Sequence, residues 1–253
     1  PVEVISPKGR QRTVQRAAFA RIEGTNLEQR LVVENIDSQL EVAEGIHGNA
    51  SLRTSGNTLI NGQSSYFRAT TIQSGGELKA GNALAFSPFS DITIQQGGVL
   101  DLDGYANVIP GLYGGSRSDV DPGIIRLGSN CSNAEDYDCG VLPGGKLTVS
   151  KGDFAGTIED VDLSGNQGAV IKVGSPNDDL ILSGLNQYFS PTFVDGGVLK
   201  AGADGSLSPN SRHVLRGGEL DLRGFQQVLP ELNIVGGVLR VESDNPLNVN
   251  GEV

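Results

Sequence analysis

Residues 97–112 read GGVLDLDGYANVIPGL, and residues 217–232 read GGELDLRGFQQVLPEL. The two stretches align without a gap, and their matches fall on glycines and alternate aliphatics. In the first, Leu100 and Leu102 flank Asp101; in the second, Leu220 and Leu222 flank Asp221. Successive side chains of a strand point to opposite faces, so the leucines share one face and the aspartate takes the other. A period of two argues for strand over helix. The glycine pair ahead of each strand fits a turn that needs positive φ or close backbone approach.

The pattern Gly-Gly-x-Leu-x-aliphatic starts at Gly75, Gly97, Gly144, Gly196, Gly217 and Gly236. Leu78, Leu100, Leu147, Leu199, Leu220 and Leu239 are expected to form the structural core. Ala80, Leu102, Val149, Ala201, Leu222 and Val241 should point the same way. Lys79, Asp101, Thr148, Lys200, Asp221 and Arg240 should face water. Neighbouring copies begin 22, 21 and 19 residues apart, and the wider gaps of 47 and 52 read as two rungs plus an insertion. A period of about 20–22 residues is one coil of a solenoid. About twelve such coils would fit the chain, less the insertions, in a stack roughly 58 Å long at strand spacing. The expected fold is therefore all-β, a parallel β-helix. One rung cannot bury its inner face alone, so its stability must come from stacking.

A longer duplication contains these copies. Residues 59–112 resemble residues 181–232: GQSSYF at 62–67 answers GLNQYF at 184–189, and Ser87-Pro88 answers Ser208-Pro209. The matched positions are turn glycines and inward aliphatics, which carry packing rather than chemistry. The pairs Tyr66-Phe67 and Tyr188-Phe189 read as turn packing, with a binding role as the alternative.

Composition agrees with a body that turns often. The chain has 36 glycines, no Met, no Trp and 5% aromatic residues. A net charge of −11 argues against a nucleic-acid partner, whose phosphates would be repelled. Lys8, Arg10, Arg12, Arg16, Arg21 and Arg30 form a local exception, either a contact patch or a solvated face. No window approaches the twenty or so apolar residues of a membrane span. The organisation expected is N-terminal coils or a cap over 1–50, then a repetitive β-helix over 51–253. An insertion is expected at about 113–143; it is polar, Gly-rich and acidic, and reads as a protruding binding element or a decorated loop.

That insertion holds both cysteines, Cys131 and Cys139. With only His47 and His213 elsewhere, no zinc set can be assembled. A local disulfide between Cys131 and Cys139 is expected, which implies an oxidising compartment; two free thiols are the alternative. Closing so short a loop contributes roughly 2.6 kcal/mol in the chain-entropy account.

Residues 179–202, DLILSGLNQYFSPTFVDGGVLKAG, resemble the passenger-associated repeat of bacterial autotransporters. That repeat joins a Leu-x-Leu-x-Gly strand, an Asn-and-aromatic turn and Gly-Gly-x-Leu. The rung that follows, ADGSLSP at 203–209 with residues 217–225, is similar to the family's next one. The copy at 59–86 departs from the pattern at Asn61 and Arg68. About two thirds of the chain is covered, roughly 55–112 and 170–242. The resemblance implies a right-handed parallel β-helix, exported through periplasm and outer membrane and displayed or released at the cell surface. It implies a stalk or adhesin, with a host-cell receptor, matrix or like passenger as partner. A secreted toxin or effector segment is the alternative. The family's membrane barrel is not recognisable in these residues, and the resemblance carries over no catalytic residue.

An enzyme is the remaining rival, because parallel β-helices host polysaccharide lyases and hydrolases. Asp119 with Asp121, Asp160 with Asp162 near Glu159, and Asp178 with Asp179 could supply paired carboxylates or oxygen ligands for Ca²⁺. None of these recurs with a basic partner in the repeat. There is no Gly-x-Ser-x-Gly elbow, P-loop or nonapeptide Ca²⁺ repeat. His47 and His213 are expected at the surface or in a cap. The expectation is thus no enzyme, no cofactor and no metal.

Overall fold

The computed structural model describes residues 2–5, 11–14, 22–24, 31–117, 120–128, 145–160, 168–242 and 247–249, the first three segments as backbone. All regular elements among the described residues are strands. They stack in parallel as a β-solenoid of about 9 turns, with about 21 residues per turn. The repeat period is thus realised, with fewer coils than the twelve that length alone suggests. One reason is visible in the register: Leu112–Gly114 pair directly with Gly152–Phe154, so forty residues advance the stack by one rung.

The body has three faces. On the first, the ladder runs from Leu31–Asn35 through Ala50–Thr54, Thr70–Ile72 and Ile92–Ile94 to residues 112–114 and 152–154. It continues with Asp179–Leu182, Val198–Ala201, Glu219–Asp221 and Val238–Arg240. On the second, Gln39–Val42, Asn57–Ile60, Glu77–Ala80, Val99–Asp101, Ile124–Arg126 and Thr157–Glu159 follow one another. The third holds residues 107–109, 147–149 and 170–172, then Thr192–Val194, His213–Leu215 and Leu232–Ile234. At the other end, Val2–Ile5 pairs antiparallel with both Gln11–Val14 and Leu31–Asn35, a departure from the parallel rule.

The expected inward residues form the core. Leu78, Leu100, Leu147, Leu199 and Leu220 are fully buried, as are Ala80, Leu102, Val149, Ala201 and Leu222. They do not line one column. Leu78 lies on Leu100 in the second face, Leu199 on Leu220 and Leu239 in the first, and Leu147 between Asn107 and Val170 in the third. Two positions depart from expectation at the last rung of the first face. Leu239 is only partly buried and Val241 is 42% exposed, because no described strand covers that rung from above. Among the outward set, Asp101 is 8% exposed, since Lys79 lies over it at 3.6 Å.

The duplicated blocks therefore occupy different faces. Ile92–Ile94 and Val99–Asp101 sit on the first and second faces. Their counterparts, His213–Leu215 and Glu219–Asp221, sit on the third and first. The second block is turned by one face relative to the first. Between them, Asn107–Gly114 and Lys146–Phe154 are unusually long strands, each running through a corner and serving two faces.

Each block also repeats a buried hydroxyl chain. Tyr66 Oη meets Thr70 Oγ1, which meets Ser90 Oγ at 2.9 Å, and Ser87 Oγ donates to the Tyr66 carbonyl. Tyr188 Oη meets Thr192 Oγ1 at 2.7 Å, which meets Ser211 Oγ at 2.9 Å, and Ser208 Oγ donates to the Tyr188 carbonyl. Burial pushes both phenols up to about 12, so they act as neutral hydrogen-bonding groups. Tyr66→Phe and Tyr188→Phe should each lower stability by about 1–2 kcal/mol, since each removes one hydrogen bond from a buried chain. Denaturant melts of the two variants check this, and similar losses are expected because the chains are equivalent.

Candidate functional site

Charged side chains on the outer side of the rungs pair along the stack. Lys79 bridges to Asp103 at 3.0 Å, Arg126 to Glu159 at 3.2 Å, and Arg240 to Glu219 at 2.6 Å. Lys200 meets Asp179 at 2.5 Å. Arg216 grips Asp195 with both Nε and Nη2, at 2.6 and 2.7 Å, and lies 4.1 Å over the Phe193 ring. Stacking at the coil period puts each cation beside a carboxylate one rung away. Such half-exposed pairs stabilise only weakly one by one. Arg240 holds the Glu219 carboxyl below its ordinary range.

Among the described residues, the carboxylates that might have served catalysis are, except for Asp121, tied to the backbone or to these pairs. Asp160 accepts the amide hydrogens of Phe189 and Ser190 and the hydroxyl of Ser190, closing a corner. Asp178 accepts the amide of Ser175 within its own turn. Asp179 belongs to Lys200, and Glu159 to Arg126. Asp121 is exposed, with φ +52. Among the described residues no group of three or more His, Cys, Asp or Glu could hold a metal ion. Asp119, Asp162, Glu135, Asp136, Asp138 and the cysteines Cys131 and Cys139 lie outside the described residues.

The aromatic pairs split, one ring turned inward and the next outward. Tyr66 and Tyr188 are buried, whereas Phe67 and Phe189 are 46% and 52% exposed. Only the tyrosines answer the packing expectation. The region read as one insertion also divides. Tyr113 and Gly114 end a strand of the first and third faces, and Ile124–Arg126 is a regular rung of the second. Just before it, Arg117 Nη2 donates to the carbonyl of Asp204 at 2.7 Å, linking residues 87 apart in sequence. Arg117, Ile124, Thr157, Glu159, Leu185 and Gln187 line a groove of about 230 Å³ there. Another of about 290 Å³ crosses Gln39, Glu41, Asn57, Leu59, Glu77 and Lys79 on the second face.

Two titratable groups sit where no repeat pattern put them. Lys172 takes an inward position between Val149 and Val194 in register and is fully buried. Its ammonium donates to the carbonyls of Val173 and Gly196, and a Cβ on Gly197 would come within 2.2 Å of Nζ. Burial lowers Lys172 to about 8, against the pull of Asp178 and Asp179. The unfolded chain thus binds the extra proton between about pH 8 and 10.5, and folding stability rises with pH through that window. Lys172→Met should flatten the rise. Melts of both proteins between pH 7 and 9.5, below the tyrosine range, measure it.

The second group is His213, expected at the surface and found fully buried. Burial outweighed its polarity because it fills the slot held by Ile92 in the first block. His47 stays half-exposed on an outward position, meeting Ser65 Oγ at 2.8 Å. Comparison with known proteins gives no family model that matches the chain, and no curated protein or solved structure matches it.

Proposed function

We propose that this chain is a segment of an autotransporter-like passenger, presented on or released from a bacterial surface, and that it acts as an adhesive stalk. The partner is a host-cell receptor or matrix, or a like passenger on a neighbouring cell. One observation carries the reading: among the described residues, the buried tyrosines and all but one of the carboxylates that could serve chemistry are spent on holding rungs together. Asp160 closes a corner, Asp179 and Glu159 anchor rung-to-rung ion pairs, and Tyr66 and Tyr188 run buried hydroxyl chains. The surface on offer is long polar strand faces, interrupted by the groove at Arg117. The repeat resemblance at residues 179–202 supports the same reading. Polar faces of this kind bind by many weak contacts along their length, so display at high density should matter more than single-molecule affinity.

The test is surface display. The chain is fused in passenger position to a neutral barrel on a non-adherent bacterium, with residues 129–144 present or replaced by a short glycine linker, which leaves the rung at Ile124–Arg126 in place. Clumping of the culture or attachment to host cells supports the adhesive reading. Loss of either on replacement assigns it to that segment, and retention assigns it to the strand faces. Proven display with neither effect removes the adhesive role and leaves a passive stalk.

A further inference from the structure

We propose that His213 is an acid-sensitive latch: its protonation opens the third face of the second block while the first block stays closed. The placement carries it. His213 points inward in a continuous ladder, with Thr192 and Leu232 at the same register position on the strands either side. Its Nδ1 donates to the carbonyl of Ser211 at 2.9 Å, which fixes the neutral tautomer. Its Nε2 is then a bare, buried atom with no partner. A proton there would create a buried charge with a donor that nothing accepts.

No neighbouring group relieves this. Thr192 and Leu232 do not titrate. Asp195 and Glu231, on the segments packed against it, and Arg212 and Arg216, on its own, are exposed or half-exposed, and Asp195 is already held by Arg216. The duplication sharpens the inference, since the matching residue in the first block is the buried aliphatic Ile92. The other unpartnered buried side-chain atom among the described residues is Ser206 Oγ, which likewise replaces a buried aliphatic, Ala85. Polar substitutions of this kind fall in the second block.

Burial holds His213 down at about 4, below its ordinary 6.5. The unfolded or opened segment binds the proton first, so stability is complete above about pH 6.5 and is lost as pH falls toward 4. At pH 5 the opening equilibrium of the second block should rise about 30-fold over its value at pH 8.

Hydrogen exchange followed by mass spectrometry on the full chain at pH 8 and 5, corrected for intrinsic rates, reads this directly. Peptides over 192–215 and 228–240 should lose protection by about that factor, while those over 50–94 do not. His213→Ile should abolish the difference, and Ile92→His should create it in the first block. An equal loss in both blocks of the natural chain overturns the proposal, as does an unchanged acid response in His213→Ile. If His213→Ile does not fold, a histidine NMR titration of the natural chain decides. Protonation of His213 near its ordinary 6.5 without loss of protection would overturn the latch; a neutral ring at pH 5 in the closed state would support it.

Discussion

Leu220→Asp is expected to unfold the second block, lowering stability by more than about 4 kcal/mol, whereas Asp221→Leu should cost about 1 kcal/mol or less. The two residues are neighbours on one strand and differ only in the face they take. Leu220 is fully buried, stacked in register between Leu199 and Leu239. A carboxylate there would lose its water and gain no partner. Truncation to alanine alone should cost about 2–5 kcal/mol through transfer and cavity terms. Asp221 faces outward, and its carboxylate accepts the amide hydrogen of Arg223 at 3.0 Å. Thermal melts separate the variants, and equal melts would remove the inward and outward assignment on which the fold is read.

Gly152→Ala should be similarly damaging, while Gly205→Ala should be mild. Gly152 holds φ +142, and a Cβ built on it would fall 1.8 Å from the carbonyl oxygen of Leu112, the strand beneath it. No flexible side chain is available to yield, so the ladder must open where Lys146–Phe154 turns its corner. A loss of about 4 kcal/mol or more is expected. Gly205 also has positive φ, +62, but its Cβ would meet nothing within 4 Å. Only backbone strain remains, worth about 1–2 kcal/mol. Denaturant midpoints for the pair distinguish contact from conformation, and matching losses would show that the corner has room.

Much of the fold was legible because a solenoid repeats its instructions. Gly-Gly-x-Leu-x-aliphatic states turn, strand and facing in six residues, and Leu78, Leu100, Leu147, Leu199 and Leu220 lie inward as that pattern requires. Which face each copy takes was not legible. Local alternation specifies in or out, but the face depends on how many corners the chain has turned, and the long strands at 107–114 and 146–154 alter that count. Lys172 and His213 were missed for a related reason. Lys172 stacks between Val149 and Val194, and His213 between Thr192 and Leu232, and those neighbours lie about twenty positions away along the chain. His213 could have been found by setting the blocks side by side, where it falls opposite Ile92. Arg117 gave no such signal, since its tie to Asp204 belongs to no repeat. At the surface, the sequence marked carboxylates as candidates for chemistry without showing that Asp160 and Asp179 were already engaged.

The one-face turn between the blocks has a geometric consequence. Phe67 and Phe189 are equivalent, exposed, and placed after equivalent buried tyrosines, yet they stand at different azimuths around the long axis. A flat partner laid along the body can meet one of them but not its twin. Two partners approaching from different sides can each meet the same local structure. Tandem copying, which in an unbroken stack would enlarge one binding strip, here distributes it around the circumference.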